Sequence, residues 1–125
     1  MFCADTSCWV AYLAGDPGND TELLAEGLEQ EAVVMAPVAL AELFSAPEMT
    51  REAAASLRSL PLLEVTPGFW ERAGRLRASL RRYHCRPKLA DTLIAQSCLD
   101  YAVPLLTRDR DFRPFARHAG LALLL

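Results

Sequence analysis

The first 50 residues contain no lysine and no arginine, and the whole chain of 125 residues has one lysine, Lys88. Histidine is nearly as scarce. His84 and His118 are the only two, and neither stands beside a nucleophile or a second ligand, which argues against triad hydrolysis and histidine-rich metal sites. The four cysteines, Cys3, Cys8, Cys85 and Cys98, include no Cys-x-x-Cys pair and lie scattered on apolar stretches. They read as buried free thiols, not as a zinc site or a disulfide framework. No uninterrupted apolar run approaches the roughly 18 residues that cross a bilayer, and the N-terminus lacks the basic-then-apolar layout of a signal peptide. The expectation is a cytoplasmic protein with no membrane partner. Repeats, linkers and low-complexity segments are also absent.

What is present is core-forming material. A composition of 52% hydrophobic and 23% charged residues suits a packed globular domain, expected to span residues 1–125. The net charge of −3 hides a split: residues 1–50 carry nine acids and no base, whereas residues 51–125 hold all 13 basic residues against seven acids. The two parts therefore balance at −9 and +6, an asymmetry that invites a search for an anionic or nucleic-acid partner.

Strand and helix signals alternate. Met1 to Asp5 reads as a strand, and Thr6-Ser7 offers hydroxyl caps for a helix through Trp9, Val10 and Leu13 to Gly15. Asp16 to Asp20 reads as a loop, with Thr21 capping a short helix on which Leu24 and Leu28 share a face. Ala32 to Ala36 is apolar on both sides, as a buried parallel strand should be, and Pro37 opens a helix to Ser45 with Leu40 and Leu43 inward. Further helices are expected from Thr50 to Leu60, from Thr66-Pro67 to His84, from Lys88 to Asp100 with Leu89, Leu93 and Leu99 at helical spacing, and from Phe112 to His118. Strands are expected at Leu62 to Val65, Val103 to Thr107 and Leu121 to Leu125. This alternation predicts an α/β fold of three layers, with a short, mostly parallel central sheet flanked by helices.

Ligands of parallel sheets gather at the carboxyl ends of strands, and Asp5, Glu42 and Asp109 fall at or just beyond such ends. Asp91 lies early in the apolar segment Leu89-Ala90-Asp91-Thr92-Leu93-Ile94-Ala95, where an unpaired carboxylate is expensive to bury. Taken singly, each acid has an ordinary reading. Asp5 and Asp91 suit helix N-termini, Glu42 a solvated helix face, and Asp111 a cap for the helix from Phe112. Taken together, four carboxylates at one sheet edge repel one another, and a hard divalent cation such as magnesium or manganese is the usual remedy.

In order along the chain, Asp5-Thr6-Ser7, Ala41-Glu42, Ala90-Asp91-Thr92-Leu93-Ile94-Ala95 and Leu106-Thr107-Arg108-Asp109-Arg110-Asp111-Phe112 resemble the motifs of PIN-domain nucleases. Length and spacing most resemble the VapC-type toxins of toxin–antitoxin pairs. Cys3-Ala4 and Cys8 depart from the aliphatic residues common there, which bears on packing more than on chemistry. The resemblance implies that Asp5, Glu42, Asp91 and Asp109 hold one or two magnesium or manganese ions, supported by Thr6, Ser7, Thr107 and Asp111, with Asp109 preferred over Asp111 as the fourth acid. It implies metal-dependent hydrolysis of RNA to a 5′-phosphate and a 3′-hydroxyl, a small VapB-like antitoxin as partner, and a homodimer. Contact helices are expected around Trp9, Tyr12, Leu13, Leu43 and Phe44.

Arg72 to Lys88 contains seven basic residues and no acid, leading directly toward Asp91. Leu76 and Leu80 with Trp70 and Tyr83 form the expected buried stripe of that helix. Its basic residues read either as a solvated face or as an electrostatic track for a phosphate backbone, with Arg81, Arg82, Arg86 and Lys88 as the RNA-binding set. Three other readings compete. A PIN nuclease of RNA processing has the same site. A response-regulator receiver wants paired early acids, a phosphorylatable Asp after a central strand and a late lysine, whereas this chain has a lone Asp5, no Asp near Ala36 and a single lysine, Lys88. A binding module without activity fits poorly with four retained acids.

Overall fold

The computed structural model describes residues 1–124, so Leu125, the last residue of the strand expected from Leu121, lies outside the described residues. In chain order the elements are β1 (Phe2–Ala4), α1 (Thr6–Leu13), α2 (Asn19–Glu29), β2 (Val33–Val34), α3 (Pro37–Phe44), α4 (Arg51–Arg58), α5 (Phe69–Arg82), α6 (Leu89–Tyr101), β3 (Leu105–Leu106), a 3-10 turn at Arg110–Phe112, α7 (Arg113–Ala119) and β4 (Leu123–Leu124). The strands form one sheet in the order β2-β1-β3-β4, and every pairing is parallel. The expected α/β fold with a central sheet flanked by helices is therefore what the chain adopts.

The strand order also fixes where a ligand can sit. From β1 the chain crosses to β2 on one side, and from β3 it crosses to β4 on the other. Connections that diverge in this way leave a crevice between the carboxyl ends of β1 and β3, the topological switch point of an open parallel sheet. Asp5 follows β1 and Thr107 follows β3, so the sequence delivers polar residues to that crevice.

The inner strands are buried: Cys3, Ala4, Val33, Val34, Leu105 and Leu106 lie in the core with Trp9, Leu24, Met35, Leu80, Ile94, Phe112 and Phe115, whereas Phe2, Leu123 and Leu124 are partly buried against it. Helix α2 packs so closely on β1 that a Cβ on Gly27 would come within 2.5 Å of the Phe2 ring, so only glycine fits there. Helix α6 contacts both α3 and α5, and its buried residues are Thr92, Ile94, Ala95, Gln96, Ser97 and Cys98. Leu89, expected on its inward face, is 55% exposed at the helix start.

Several local expectations are corrected. The cap of α1 is Asp5, whose Oδ1 accepts from Cys8 N–H at 3.0 Å, and Thr6 and Ser7 belong to the helix's first turn. Helix α2 begins at Asn19, and Thr21 sits inside its first turn with Oγ1 donating to the Gly18 carbonyl. Leu62 to Val65 is not a strand. Leu62 alone bridges Met35, because past the buried Leu63 the chain has nothing more to bury and the Glu64 carbonyl accepts from Tyr101 Oη. Helix α5 starts at Phe69 after Gly68 (φ +83°), which shifts its buried stripe to Phe69, Ala73 and Leu80. Trp70 is consequently 63% exposed, and the exposed Tyr83 stacks on His118. Of the four free cysteines, Cys85 is half-buried and the others are fully buried. Trp9 and Leu43, expected on a contact surface, are core, whereas Leu13 and Phe44 are exposed. No helix among the described residues is long and apolar enough to cross a membrane.

Candidate active site

Asp5 is the buried anchor of the crevice. Its backbone N–H donates to the Leu106 carbonyl, so the residue is fixed by the sheet itself. Its carboxylate is 3% exposed yet fully engaged: Ser7 Oγ lies 2.8 and 2.9 Å from its two oxygens, Cys8 N–H donates to Oδ1, and Thr107 Oγ1 donates to Oδ2 at 2.7 Å. Burial pushes its pKa above the ordinary value, the bonds from Thr107, Cys8 and Ser7 oppose that rise, and the charge of Asp109 adds to it.

Thr107 carries the order from β1 to β3. While its hydroxyl donates to Asp5, the same oxygen accepts from Asp109 N–H at 2.9 Å. Asp109 in turn caps the 3-10 turn, its Oδ1 accepting from Asp111 N–H at 2.8 Å. The capping role expected of Asp111 therefore belongs to Asp109, and the Asp111 carboxylate makes no cap.

Asp91, in the first turn of α6, faces this turn: Asp91, Asp109 and Asp111 each offer a carboxylate oxygen within 4.8 Å of the others. Burial raises the Asp91 pKa to about 6, with Asp109, Asp111 and Glu42 adding negative charge and Lys88 opposing them. Glu42 reaches the site from α3, exposed, with Oε1 accepting from Thr6 Oγ1 at 2.6 Å. Of the four acids named from sequence, two thus share the close carboxylate group. Asp91 and Asp109 form the cluster with Asp111, Asp5 joins through Thr107, and Glu42 stands close enough to perturb Asp91.

Among the described residues, the cation that pairs with the cluster is Lys88, 3.9 Å from Asp111 and itself exposed. Such a set of hard oxygen donors with uncompensated charge fits a divalent cation of the magnesium or manganese type. A carboxylate whose charge burial and like-charged neighbours disfavour is also one that a bound cation would stabilise. Arg86, Lys88, Asp91, Arg110 and Asp111 line a cavity of about 250 Å³ at this point.

The basic run divides by partner. Arg72 is engaged structurally, with Nε and Nη2 donating to the Asp100 carboxylate at 3.0 and 2.6 Å, and Arg75 faces Glu71 at 3.9 Å. Arg81, Arg82, Arg86 and Lys88 are all exposed. An ion pair between a buried carboxylate and an exposed guanidinium is not legible in the sequence. Asp20, which reads as ordinary solvated surface, is 7% exposed and receives Arg108 Nε at 2.6 Å and Nη2 at 3.0 Å. Nothing in local spacing announces a partner so distant along the chain.

Among solved structures, the fold is similar to VapBC2 from Rickettsia felis bound to a promoter DNA fragment, at 19% identity and TM-score 0.75, covering 98% of this chain and 96% of that one. It is similar to FitAcB from Neisseria gonorrhoeae at 17% identity and TM-score 0.71, covering 100% and 97%. It also resembles VapBC-5 from Mycobacterium tuberculosis, a member of the VapBC family of toxin-antitoxin systems, at 23% identity and TM-score 0.66, covering 98% and 96%. Residues 2–118 match the family described as PIN domain, and the chain belongs to that family of nucleases.

Proposed function

We propose that the chain is a metal-dependent endoribonuclease and the toxin of a VapBC-type toxin–antitoxin pair. The observation that carries this reading is the carboxylate cluster at the switch point of the sheet, where Asp91, Asp109 and Asp111 converge beside the Asp5–Thr107 bond. Asp5, Glu42, Asp91 and Asp109 would hold magnesium or manganese, with Asp111 beside Asp91 and Asp109. When bound, such an ion lowers the pKa of a coordinated water and offsets charge on the phosphate. The chain's own side chains position. Ser7 and Thr107 fix the Asp5 carboxylate, Thr6 orients Glu42, and Asp109 holds the turn that presents Asp111.

The reaction is hydrolysis: water adds to phosphorus, the bond to the 3′-oxygen breaks, and the products are a 5′-phosphate and a 3′-hydroxyl. Arg81, Arg82, Arg86 and Lys88 attract the RNA backbone toward the acids.

The antitoxin reading is supported by the solved toxin–antitoxin complexes of like fold and by an apolar groove on the other flank of Glu42. Val10, Leu13, Leu43, Met49 and Ala53 line that groove, about 310 Å³ in volume, and a peptide lying in it would run to the acidic edge. A homodimer belongs to the same reading, and light scattering of the purified chain tests it.

The deciding experiment is cleavage of labelled RNA by purified protein with magnesium or manganese and with EDTA. The expected result is cleavage that requires the metal and is abolished by Asp5→Ala and Asp91→Ala. Undiminished cleavage by either variant would overturn the assignment.

A further inference from the structure

Arg77, Arg81, His84, Cys85, Arg86 and Pro87 line an open cavity of about 440 Å³ where α5 ends and the chain turns toward α6. No carboxylate among the described residues lines it. Among the described residues, none of its three arginines has an acidic partner within ion-pair distance, although Arg72 and Arg75 on the same helix do. Arg77 is half-buried, and its Nε donates to the Pro87 carbonyl at 3.0 Å. That bond fixes the guanidinium across the junction of helix and loop and leaves its terminal N–H groups without a protein partner among the described residues. Three uncompensated guanidinium groups around one hollow, one of them immobilised, form a receptor for a tetrahedral anion, because the guanidinium fork matches two phosphate oxygens at once.

The position of the hollow narrows the ligand. Cys85, Arg86 and Pro87 also line the cavity that contains Asp91 and Asp111, so the two spaces share a wall and Arg86 faces both. A ligand that uses both at once must carry phosphates in series. We infer that the arginine cavity seats a backbone phosphate of the nucleic-acid strand neighbouring the one at the acid cluster, and so sets which bond of the strand is presented for cleavage. The inference rests on the nuclease reading for its ligand and adds to it a discrete seat in place of a diffuse basic face.

The test compares two double variants of equal charge. Arg81→Gln with Arg86→Gln empties the cavity of two exposed cations. Arg51→Gln with Arg75→Gln removes the same charge from exposed positions that do not line it. Binding of a fluorescent 12-nucleotide RNA in EDTA is measured across salt concentration, together with a series in which a single phosphate is replaced by an uncharged methylphosphonate.

The expected result is a roughly tenfold loss of affinity in the cavity variant, with a salt slope shallower by about 0.7 for the lost phosphate contact, and a change under twofold in the control. One methylphosphonate position should weaken the wild type by a similar factor and have no further effect in the cavity variant. Equal losses in both double variants, or methylphosphonate effects that simply add in the cavity variant at every position, overturn the seat. Circular dichroism melts that match the wild type establish that the variants fold. The binding readout needs no cleavage. A wild type that shows this non-additivity but hydrolyses no RNA with magnesium or manganese overturns the proposed activity and leaves the seat standing, whereas unchanged cleavage positions and rates in the cavity variant overturn the seat alone.

Discussion

Thr107 Oγ1 donates to Asp5 Oδ2 at 2.7 Å, joining residues 102 positions apart across the carboxyl ends of β1 and β3. The same oxygen accepts from Asp109 N–H, so one hydroxyl holds a buried carboxylate and the start of the loop that carries two further acids. Thr107→Val keeps the shape and removes both bonds. The expected outcome is a loss of metal-dependent RNA cleavage of about 10–100-fold, the usual cost of removing a group that orients a metal-binding carboxylate. Thr107→Ser, which retains the hydroxyl, should recover most of that loss. Steady-state cleavage and manganese titration of the two variants check it, and equal activity in Val and Ser would show the hydroxyl to be dispensable.

Arg108 and Asp20 lock the same loop from outside. Two guanidinium N–H groups grip the Asp20 carboxylate at the start of α2, and Arg108 lies between Thr107 and Asp109. The guanidinium beside it holds the Asp20 carboxyl below the ordinary carboxylate range. Because the folded-state pKa is lowered, the stability this pair contributes is present above the unfolded value of about 3.9 and is lost as pH falls through the folded one. Asp20→Asn should therefore lower the melting temperature at pH 7, and the difference from wild type should shrink as acid protonates Asp20 in the fold. By loosening the loop it should also reduce cleavage by about tenfold, with most of the change in the metal requirement. A melting difference that persists unchanged into acid would exclude this origin.

What the sequence disclosed follows from the kind of signal each feature has. Acids at strand ends and in apolar helix starts are conspicuous against their surroundings, and of the four singled out in this way the structure brings Asp91 and Asp109 together with Asp111, ties Asp5 to the same loop through Thr107, and leaves Glu42 bonded to Thr6. The choice between Asp109 and Asp111 is not legible, since it depends on which backbone N–H the 3-10 turn directs at which carboxylate. The Asp20–Arg108 pair and the arginine cavity escape for the same reason: each is made by elements brought together only in the fold. On α5 the expected Leu80 is buried and Leu76 packs against the core, but Trp70 and Tyr83, large and apolar in the sequence, are turned outward by the register of Phe69, Ala73 and Leu80.

Asp91 is the acid most strained in the absence of a cation, its carboxyl raised to about 6 by burial and by Asp109. A carboxyl with a raised folded-state pKa destabilises the fold when ionised. The penalty is full above pH 6 and fades as pH falls toward the unfolded value of about 3.9. The metal-free protein should therefore melt higher at pH 5 than at pH 7. Asp91→Asn should raise the metal-free melting temperature at pH 7 by about 1 kcal/mol equivalent, roughly 4 °C, after solvent screening is allowed for. The same variant should lose the added stability that manganese gives the wild type. Calorimetry with EDTA and with manganese reads both effects, and a destabilised Asp91→Asn would show that the carboxylate has a structural role.

Asp109 and Asp111 can be separated because their backbone duties differ. Asparagine caps a turn about as well as aspartate, so Asp109→Asn keeps the bond from Asp111 N–H and removes only the charge. Asp111→Asn leaves that bond untouched and gives up an exposed contact with Lys88 at 3.9 Å, which is worth little. Neither change should disturb folding, so any difference in cleavage reports on which charge the metal uses. With Asp109 bonded through its own N–H to Thr107 and thereby to Asp5, its charge is the better placed. Asp109→Asn should lose about 100-fold or more in metal-dependent cleavage and Asp111→Asn about tenfold or less. The opposite order, measured at saturating manganese, would make Asp111 the fourth acid and confine Asp109 to holding the turn.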